Sequence, residues 1–402
     1  MNQADEELNT LVLNKELGGR KKLALGLYVH VPFCSTTCDF CAFYQEKPSK
    51  KGMDTYFAGL RDEVSRFPLD RPLSTIFFGG GTPGLLQPDQ LDQLCGLVNT
   101  VELESGAEWS IELAPSEITP EKLEVLQRHG VNRISMGVQT FDPRFMEALG
   151  RKHPVEKTLS AYDMIREAGF SSVNLDLLFG APGQSLADWE SDLARAVELQ
   201  PDHLSTYCLT FEEDTAMYVR LAEGKVKVDP EREAEFYEFA WDYLPRHGYD
   251  QYEVSNYAKP GHACRHNLNT WAMNEWIGYG PSACSQYKGV RRKNIANLEE
   301  WAAGLLPGGT PHFMDQEKLD SLDFARDAVL FGLRMNQGID LGEIAEQFDL
   351  GISVFLESAR FLERLCKEEL AEKDGTDAFR LTKQGRILCD AIVCDLPELT
   401  EG

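Results

Sequence analysis

Between residues 25 and about 210 the chain alternates short β-type runs with helical patterns, and this alternation constrains the fold more than any other feature. Strands are predicted at LGLYVHV, STIFFGG, WSIELA, NRISMGV, SSVNLDLLFG and HLSTYCL. Short βα connections require a parallel sheet with the helices packed outside it. Six units are two short of a closed eight-unit barrel. We therefore predict an α/β fold, an open, partial (β/α)6 barrel of the TIM type.

The pattern changes on either side of this segment. Residues 1–24 are a polar N-terminal extension, and 25–210 form the predicted barrel. Residues 211–310 are mixed and aromatic, and we expect them to complete the barrel and to contact a substrate. Residues 311–402 are mostly helical, and FRLTKQGRILCDAIV reads as a short β-wing that passes into a last helix. This indicates a small, winged-helix-like C-terminal domain.

The charge balance argues against polyanionic partners. There are 40 Lys and Arg against 65 Asp and Glu, a formal charge of −25, which repels polyanions such as nucleic acids. The one compact basic run, KGVRRKN at 288–294, is predicted to be a solvated loop. No apolar window is long enough to span a membrane, and the polar, acidic first 20 residues do not resemble a secretory signal. We predict a cytoplasmic location.

Three cysteines, Cys34, Cys38 and Cys41, follow the first predicted strand with the spacing C-x3-C-x2-C. Thiolates suit zinc, copper(I) or iron–sulfur clusters. A structural zinc site wants four protein ligands, and the nearest additional candidate, His30, lies on the strand. A four-iron cluster held by three cysteines instead leaves one iron for a small molecule. The spacing favours the cluster, with structural zinc as an alternative. Most of the other cysteines are expected to be buried apolar residues.

C-x3-C-x2-C with an aromatic residue at position 40, directly after a barrel strand, resembles the signature of the radical S-adenosylmethionine (SAM) superfamily. The resemblance implies a [4Fe–4S] cluster whose open iron is chelated by the amino and carboxylate groups of SAM. In that superfamily one electron from the cluster cleaves the S–C5′ bond of SAM, while the protein supplies position and excludes water.

The run FFGGGTPGLL follows the second predicted strand and formally contains G-x-G-x-x-G. It does not open the fold, and Pro83 and Pro88 interrupt the start of a helix, so we reject a dinucleotide site. The glycines let the backbone approach a ligand closely. Within a radical SAM fold this is the amino-acid end of SAM. Glu112 could accept from its ammonium and Arg151 could clamp its carboxylate, while the ribose would meet polar side chains on the next strands.

Longer stretches resemble the oxygen-independent coproporphyrinogen oxidase family. They are LYVHVPFC, FFGGGTP, NRISMGVQTFDPRFMEALGR, NLDLLFGAPGQS and YEVSNYAKPGHACRHNLNTW, and the resemblance covers roughly residues 25–395 in order. By match to the family, the residues implied to contact SAM are Tyr28, Phe40, Gly80, Gly81, Thr82, Glu112, Gln139, Arg151 and Asp176.

Two branches of this family are relevant, the oxidases and the HemW-like heme chaperones. The oxidases carry a fourth cysteine two residues after the third, where this chain has Phe43. HemW-like proteins carry an H-N-x-x-Y-W motif proposed to bind heme, and HNLNTW places His266, Asn267 and Trp271 in register with it. The resemblance therefore points to the HemW-like branch.

The chain departs from that branch at several positions. Thr270 replaces the tyrosine of the motif, Cys284 stands where a histidine is typical, and Ala114 replaces an amide side chain. These departures leave the cluster motif intact but bear on the heme site, for which Cys264 and Cys284 are lower-ranked ligands.

The resemblance implies a protein that binds heme, passes it to an acceptor protein, and takes electrons from a flavodoxin or ferredoxin. The alternative is an oxidase-like radical SAM enzyme acting on a porphyrinogen or another organic substrate. Whether the chain is an enzyme stays open at this point.

Overall fold

The computed structural model describes residues 24–151 and 154–400. The predicted N-terminal extension therefore lies, except for Ala24, outside the described residues. Six parallel strands, β1–β6, form the centre of the fold and reproduce the six predicted runs. They span Leu25–Val31, Leu73–Gly80, Leu103–Leu113, Arg133–Gln139, Ser172–Phe179 and His203–Cys208.

Helices follow the strands and cover the outer face of the sheet. Helices α1–α6 span Lys50–Arg66, Pro88–Val98, Pro120–His129, Pro143–Ala148, Val155–Ala168 and Leu186–Glu198. Their ends follow local rules. The Thr119 hydroxyl caps α3 by accepting from the backbone N–H of Lys122, Pro120 occupies the first turn, and Gly130 ends the helix with φ of 92°.

Further strands extend the central sheet on both sides. Strands β7–β12 span Asp250–Gln251, Asn256–Ala258, Glu275–Tyr279, Cys284–Tyr287, Val290–Asn294 and Phe313–Lys318. The order is β12-β11-β10-β9-β1-β2-β3-β4-β5-β6-β8-β7, so the sheet stays open, and β9 adds a parallel partner to β1. The prediction of an open, partial barrel is confirmed.

The basic run KGVRRKN is not a solvated loop, contrary to our prediction. Its last residues form β11, which pairs with β10 and β12. The Arg292 guanidinium lies 4.3 Å from the ring centre of Phe67 and 4.8 Å from that of Phe313, while Arg291 pairs with Asp327 at 2.6 Å. Aromatic faces and a carboxylate contributed from far along the chain therefore hold these arginines in the sheet.

The remaining elements follow β6. Helices α7–α10 span Ala216–Ala222, Pro230–Arg246, Arg265–Trp271 and Leu298–Leu305. The C-terminal region contains α11–α15 (Ser321–Gly332, Leu341–Gln347, Leu356–Lys367, Lys383–Ile387, Cys389–Cys394) and β13–β15 (Ile339–Asp340, Ala371–Asp374, Ala378–Leu381). It packs around a second apolar core that includes Phe324, Phe348, Leu362 and Phe379. The predicted helical C-terminal region with a small β-wing agrees with this. Our domain limits at residues 24, 210 and 310 stay predictions.

The two faces of β1–β6 differ in polarity. Residues such as Leu27, Ile76 and Ile111 are fully buried in the main apolar core under the helices. The opposite, inner face carries polar side chains, among them Glu112 and Asp176. This inner face leads to the carboxyl ends of the strands, where partial barrels place their sites. No helix within the described ranges is long and apolar enough to cross a membrane.

Candidate cofactor site at the strand ends

The loop that carries the three cysteines follows β1 and is tied down at its base and its tip. At the base, the backbone N–H of Cys34 donates to the carbonyl of Glu46 at 3.0 Å. At the tip, the N–H of Asp39 donates to the carbonyl of Leu149 at 3.2 Å, and its carboxylate pairs with Arg220. These contacts therefore position the cysteine loop relative to the segments that carry Leu149 and Arg220.

The cysteines are free thiols that influence one another electrostatically. Burial raises the pKa values of the Cys34 and Cys41 thiols, and the nearby Arg151 guanidinium opposes that rise for both. The hydroxyl oxygen of Thr82 lies 3.3 Å from Sγ of Cys34. Cationic and hydroxyl neighbours of this kind favour the thiolate that metal binding requires.

The donor set suits a multi-iron cluster better than a single ion. In a four-iron cluster each cysteine binds a different iron, so the sulfurs need not meet at one point. The three cysteines on one anchored loop fit this requirement.

His30 is not available as a fourth zinc ligand. Its Nδ1 accepts from the Tyr28 hydroxyl at 3.1 Å, and its Nε2 donates to the carbonyl of Tyr44 at 3.0 Å. Burial lowers the pKa of the imidazole to about 4, so the ring is neutral and both nitrogens are in use. The structure therefore gives the zinc alternative no fourth ligand at His30.

The glycine run is required by close approach of β2 to β1 and to the cysteine loop. A Cβ on Gly81 would lie 2.8 Å from the carbonyl oxygens of both Val31 and Phe33. Gly80 has φ of 105°, and a Cβ there would lie 2.4 Å from Nδ1 of His30. Only glycine fits at these positions. The tight packing sets Thr82 beside the first cysteine.

Glu112, a partly buried carboxyl group, lies next to the glycine run, and Asp176 on β5 is close enough to influence its charge. The N–H of Gly80 donates to Oε2 of Glu112 at 3.2 Å. Burial, and then the charge of Asp176, raise the pKa of Glu112 to about 8. Asp176 accepts from the Ser135 hydroxyl at 2.9 Å and from the Asn174 amide at 2.8 Å, and burial raises its pKa too. A cationic ligand group would stabilise both carboxylates.

Gln139 and Arg151 converge above Gly137, whose register partner on β5 is Asp176. A Cβ on Gly137 would lie 3.1 Å from Nε2 of Gln139 and 3.5 Å from Nη2 of Arg151. Gln139 adopts a φ of 71°, a left-handed conformation that is uncommon for non-glycine residues. Nε of Arg151 is buried without a hydrogen-bond partner among the described residues. This guanidinium therefore suits an anionic group such as a carboxylate.

The aromatic candidates flank the same region. The ring of Tyr28 stacks on Phe77 with centroids 6.3 Å apart. Phe40 packs in a small apolar cluster with Leu149 and Leu178. All the residues implied to contact SAM thus lie on the inner face near the strand ends or on the loops above it. Their role as ligands stays a prediction.

The heme candidates lie elsewhere. His266 is buried at the start of α9, where its ring stacks on Phe77 at 5.2 Å and its Nδ1 is 3.0 Å from the hydroxyl of Thr75. Thr75 precedes Gly80 by five residues on β2, a separation of about 17 Å along the strand. His266 therefore lies towards the amino ends of the strands, away from the cysteines.

The other residues of the H-N-x-x-Y-W-like segment face different neighbours. Trp271 packs on Phe331 of α11 at 5.7 Å and under the Arg334 guanidinium at 5.2 Å. The Thr270 hydroxyl, at the position of the motif tyrosine, donates to the carbonyl of His266 at 3.2 Å. Asn267 is half-buried on the same short helix. The structure thus joins these residues through one helix and does not gather their side chains around one point.

The two lower-ranked cysteines differ from each other. Cys264 is buried, and its thiol lies 3.5 Å from a carboxylate oxygen of Glu108. Cys284 is an exposed residue of β10, but the surrounding side chains partly desolvate its thiol, which raises the thiol pKa, while Lys293 and Arg291 oppose the rise.

A buried polar network below Asp176 was missed at the sequence level. It contains Ser135, Asn174, His203 and Ser205 on the inner face of β4–β6, and it ends at Tyr252. Parallel strands covered on both faces normally read as continuous apolar runs. Polar residues at alternate positions, as in N-L-D and H-L-S, were the available signal.

Comparisons with known proteins agree with this geometry. Residues 28–196 match the model of the radical SAM superfamily, and residues 319–388 match that of the HemN C-terminal domain. The chain is 33% identical to "Heme chaperone HemW" of Bacillus subtilis over 371 residues, which cover 90% of this chain and 96% of the relative. It is 34% identical to the protein of that name from Mycobacterium tuberculosis over 92% of this chain and 93% of the relative.

The chain belongs to the HemW family of radical SAM proteins. Membership implies a [4Fe–4S] cluster and SAM as cofactors, which agrees with the three-cysteine loop and its surroundings. The solved structure of coproporphyrinogen III oxidase (HemN) from Escherichia coli is similar to this HemW-family chain over 96% of its length and 92% of the oxidase. That match has a TM-score of 0.81 and 26% sequence identity.

Proposed function

We propose that this protein binds heme and passes it to an acceptor protein, and that it carries a [4Fe–4S] cluster on Cys34, Cys38 and Cys41. The observation that carries the proposal is the match of nearly the whole chain to relatives named heme chaperones. Phe43 supports it, since the oxidases of the wider family have a cysteine at that position.

SAM binds beside the cluster in this proposal. Arg151 receives the carboxylate of SAM, because its buried Nε lacks a partner in the described part of the chain. Glu112 receives the ammonium group, which would favour the ionised form of a carboxyl whose pKa burial raises to about 8. Gln139 and Asp176 receive the ribose hydroxyls. The remaining contacts of SAM in this proposal come from Tyr28, Phe40, Gly80, Gly81 and Thr82.

His266 is the heme ligand that the geometry supports best. Its Nδ1 is hydrogen-bonded to the hydroxyl of Thr75, which leaves Nε2 without a hydrogen-bond partner among the described residues. Metal-binding histidines characteristically use their second nitrogen in this way. Burial lowers the pKa of the imidazole to about 4, so the ring is neutral at physiological pH and can bind iron. Asn267 and Trp271 lie on the same helix and are further heme candidates only through the motif match, since their side chains face other neighbours than His266.

An anaerobic hemin titration tests this proposal. The wild-type protein should develop a Soret band that saturates near one equivalent. His266→Ala should shift or abolish the band, while His262→Ala, a change in the same segment, should leave it unchanged. An unchanged Soret region in the wild-type protein would count against heme binding. Identical spectra for wild type and His266→Ala would exclude His266 as the heme ligand without excluding heme binding.

An oxidase-like enzyme is the second candidate, favoured by the similarity to the solved HemN structure over nearly the whole chain. The position of the oxidase's extra cysteine is occupied by Phe43, whose side chain is 67% exposed on the cysteine loop. Product analysis after anaerobic incubation with coproporphyrinogen III, SAM and a reductant separates the candidates. We expect no decarboxylated product, and formation of one would favour the oxidase.

The cluster requires a one-electron donor, and we propose a flavodoxin or a ferredoxin. A cytoplasmic location belongs to the same proposal. It is supported by the ten cysteines, all of which are free thiols, as is usual in a reducing compartment. Bleaching of the cluster absorbance by a reduced flavodoxin or ferredoxin tests the donor. Reduction by dithionite but by neither protein would contradict it.

A further inference from the structure

The polar network on the inner face of β4–β6 is placed by strand register. Ser135 of β4 is opposite Asn174 of β5, which is opposite His203 of β6. One row nearer the carboxyl ends, Asp176 is opposite Ser205. Ser135, Asn174, His203 and Ser205 are buried, with His203 at 0% exposure and Asn174 at 2%, whereas Asp176 is only partly buried. Buried polar groups are costly unless they are hydrogen-bonded, and these groups are hydrogen-bonded to one another.

The hydrogen bonds have one direction, which can be followed from Asp176 outwards. As a carboxylate, Asp176 accepts from the Ser135 hydroxyl at 2.9 Å and from Nδ2 of Asn174 at 2.8 Å. The second N–H of the Asn174 amide donates to the Ser135 oxygen at 2.7 Å. The amide oxygen of Asn174 must therefore face the other way, towards β6.

The remaining steps define the state of His203. Its Nδ1 donates to the amide oxygen of Asn174 at 2.6 Å, and that oxygen also accepts from the Ser205 hydroxyl at 3.2 Å. Burial lowers the pKa of His203 and favours the neutral ring, so Nε2 accepts from the Tyr252 hydroxyl at 2.8 Å when Nδ1 carries the proton. The Tyr252 oxygen in turn accepts from the backbone N–H of Cys264 at 3.3 Å. Every donor from Tyr252 onward thus points towards Asp176.

We propose that Tyr252, His203 and Asn174 are positioning residues that hold Asp176 in the orientation needed to receive the ribose of SAM. The inference rests on the proposed SAM site. Ser135 and Asn174 donate to different oxygens of the carboxylate, and the neighbouring Ser205 hydroxyl stabilises it as well, so the four lone pairs are not all used and a ligand hydroxyl can still be received. A carboxylate held from below in this way does not need to reorganise when the ligand binds.

The experiment compares SAM with methionine, which shares the amino and carboxylate groups of SAM but has no ribose. Binding is measured anaerobically on the cluster-loaded full chain, by equilibrium dialysis. Tyr252→Phe removes the terminal hydroxyl of the network. We expect it to weaken SAM binding roughly threefold to tenfold, as for a lost buried hydrogen bond, and to leave methionine binding and iron content unchanged.

Tyr249→Phe is the matched control. Tyr249 is buried, and its hydroxyl donates to the carbonyl of Pro201 at 3.0 Å, outside the network. This variant should retain wild-type affinity for both ligands. At His203, leucine should weaken SAM binding at least as much as Tyr252→Phe, whereas asparagine, which keeps a donor near Nδ1, should recover part of the affinity.

Asp176→Asn separates failure of the inference from failure of the site. If Asp176→Asn weakens SAM binding and Tyr252→Phe and His203→Leu do not, the network does not position Asp176 and the inference is wrong. If Asp176→Asn leaves SAM binding unchanged, the proposed ribose contact is wrong and the inference falls with it. Equal weakening of SAM and methionine in Tyr252→Phe would show general damage and also overturn the inference.

Discussion

The backbone N–H of Gly80 donates to the carboxyl group of Glu112 at 3.2 Å, and this contact joins the glycine run of β2 to the partly buried acid of β3. A Cβ on the neighbouring Gly79 would lie 3.0 Å from the same carboxyl oxygen. The absence of a side chain at Gly79 therefore makes room for Glu112. Burial and the charge of Asp176 raise the pKa of Glu112 from its ordinary value of 4.5 to about 8.

The raised pKa predicts a pH dependence of stability. The folded state holds the proton of Glu112 more tightly than the unfolded chain. Its contribution is therefore fully present below pH 4.5 and is lost as the pH rises to about 8. Relative to Glu112→Gln, the cluster-free wild type should lose on the order of a few kcal/mol between pH 5 and pH 8.5.

Urea unfolding of both proteins at the two pH values measures this difference. Burial also raises the pKa of Glu63 to about 7 and that of Asp192 to about 6, so both proteins should lose stability with pH. The comparison with the variant isolates Glu112. Parallel stability profiles would show that Glu112 ionises normally in the fold.

Alanine at Gly81 should damage both the fold and the cysteine loop. Its Cβ would meet two backbone carbonyl oxygens at 2.8 Å, that of Val31 at the end of β1 and that of Phe33 at the start of the cysteine loop, so one of these segments would have to shift. We expect a loss of roughly 1–3 kcal/mol in the free energy of unfolding and a lower iron content. Gly96→Ala in α2 is the control, since nothing lies within 4 Å of its Cβ. It should be about 0.5–1 kcal/mol more stable than wild type. Equal effects of the two variants would refute the steric account.

Replacing any one of Cys34, Cys38 or Cys41 by alanine should remove the cluster, because each supplies one of three protein ligands. Anaerobic iron and sulfide analysis should fall from about four irons per chain to near zero. Cys394→Ala changes an exposed cysteine on the last helix and should retain full iron. Full iron in a triple variant of the loop would show that the cluster binds elsewhere.

Arg151→Met should weaken the binding of both SAM and methionine, because the two ligands share the carboxylate that we assign to this guanidinium. A hydrogen bond to a charged group corresponds to roughly tenfold to hundredfold in affinity. Arg144→Met is the control, since Arg144 is 67% exposed in its side chain and pairs with Asp142 and Asp188. Unchanged methionine binding in Arg151→Met would move the carboxylate contact to another residue.

Much of the fold was predictable because local sequence patterns indicate each of the six βα units. Short apolar runs, the Thr119 cap and the glycines at helix ends act within a few residues, so the sequence alone reveals them. The location of the candidate site followed from the same alternation, since the cysteines, the glycine run and Glu112 all occur where a predicted strand ends.

Features that depend on distant contacts were not predictable. In the strand at 290–294, which pairs with β10 and β12, Arg292 lies on the rings of Phe67 and Phe313, and its neighbours in the sequence do not indicate these distant partners. The link from Tyr252 to Asp176 depends on the register of three strands and on a segment beyond the barrel. The steric need for Gly81 arises from the carbonyl groups of β1 and Phe33, which only the folded chain brings close.

The most direct measurement is the electron paramagnetic resonance spectrum of the reduced, cluster-loaded protein with and without SAM. A [4Fe–4S] cluster on Cys34, Cys38 and Cys41 with one iron open to SAM predicts an S = 1/2 signal. Its g values should shift when SAM is added, and Arg151→Met should need more SAM for the same shift. An iron–sulfur signal that saturating SAM leaves unchanged would contradict the central claim.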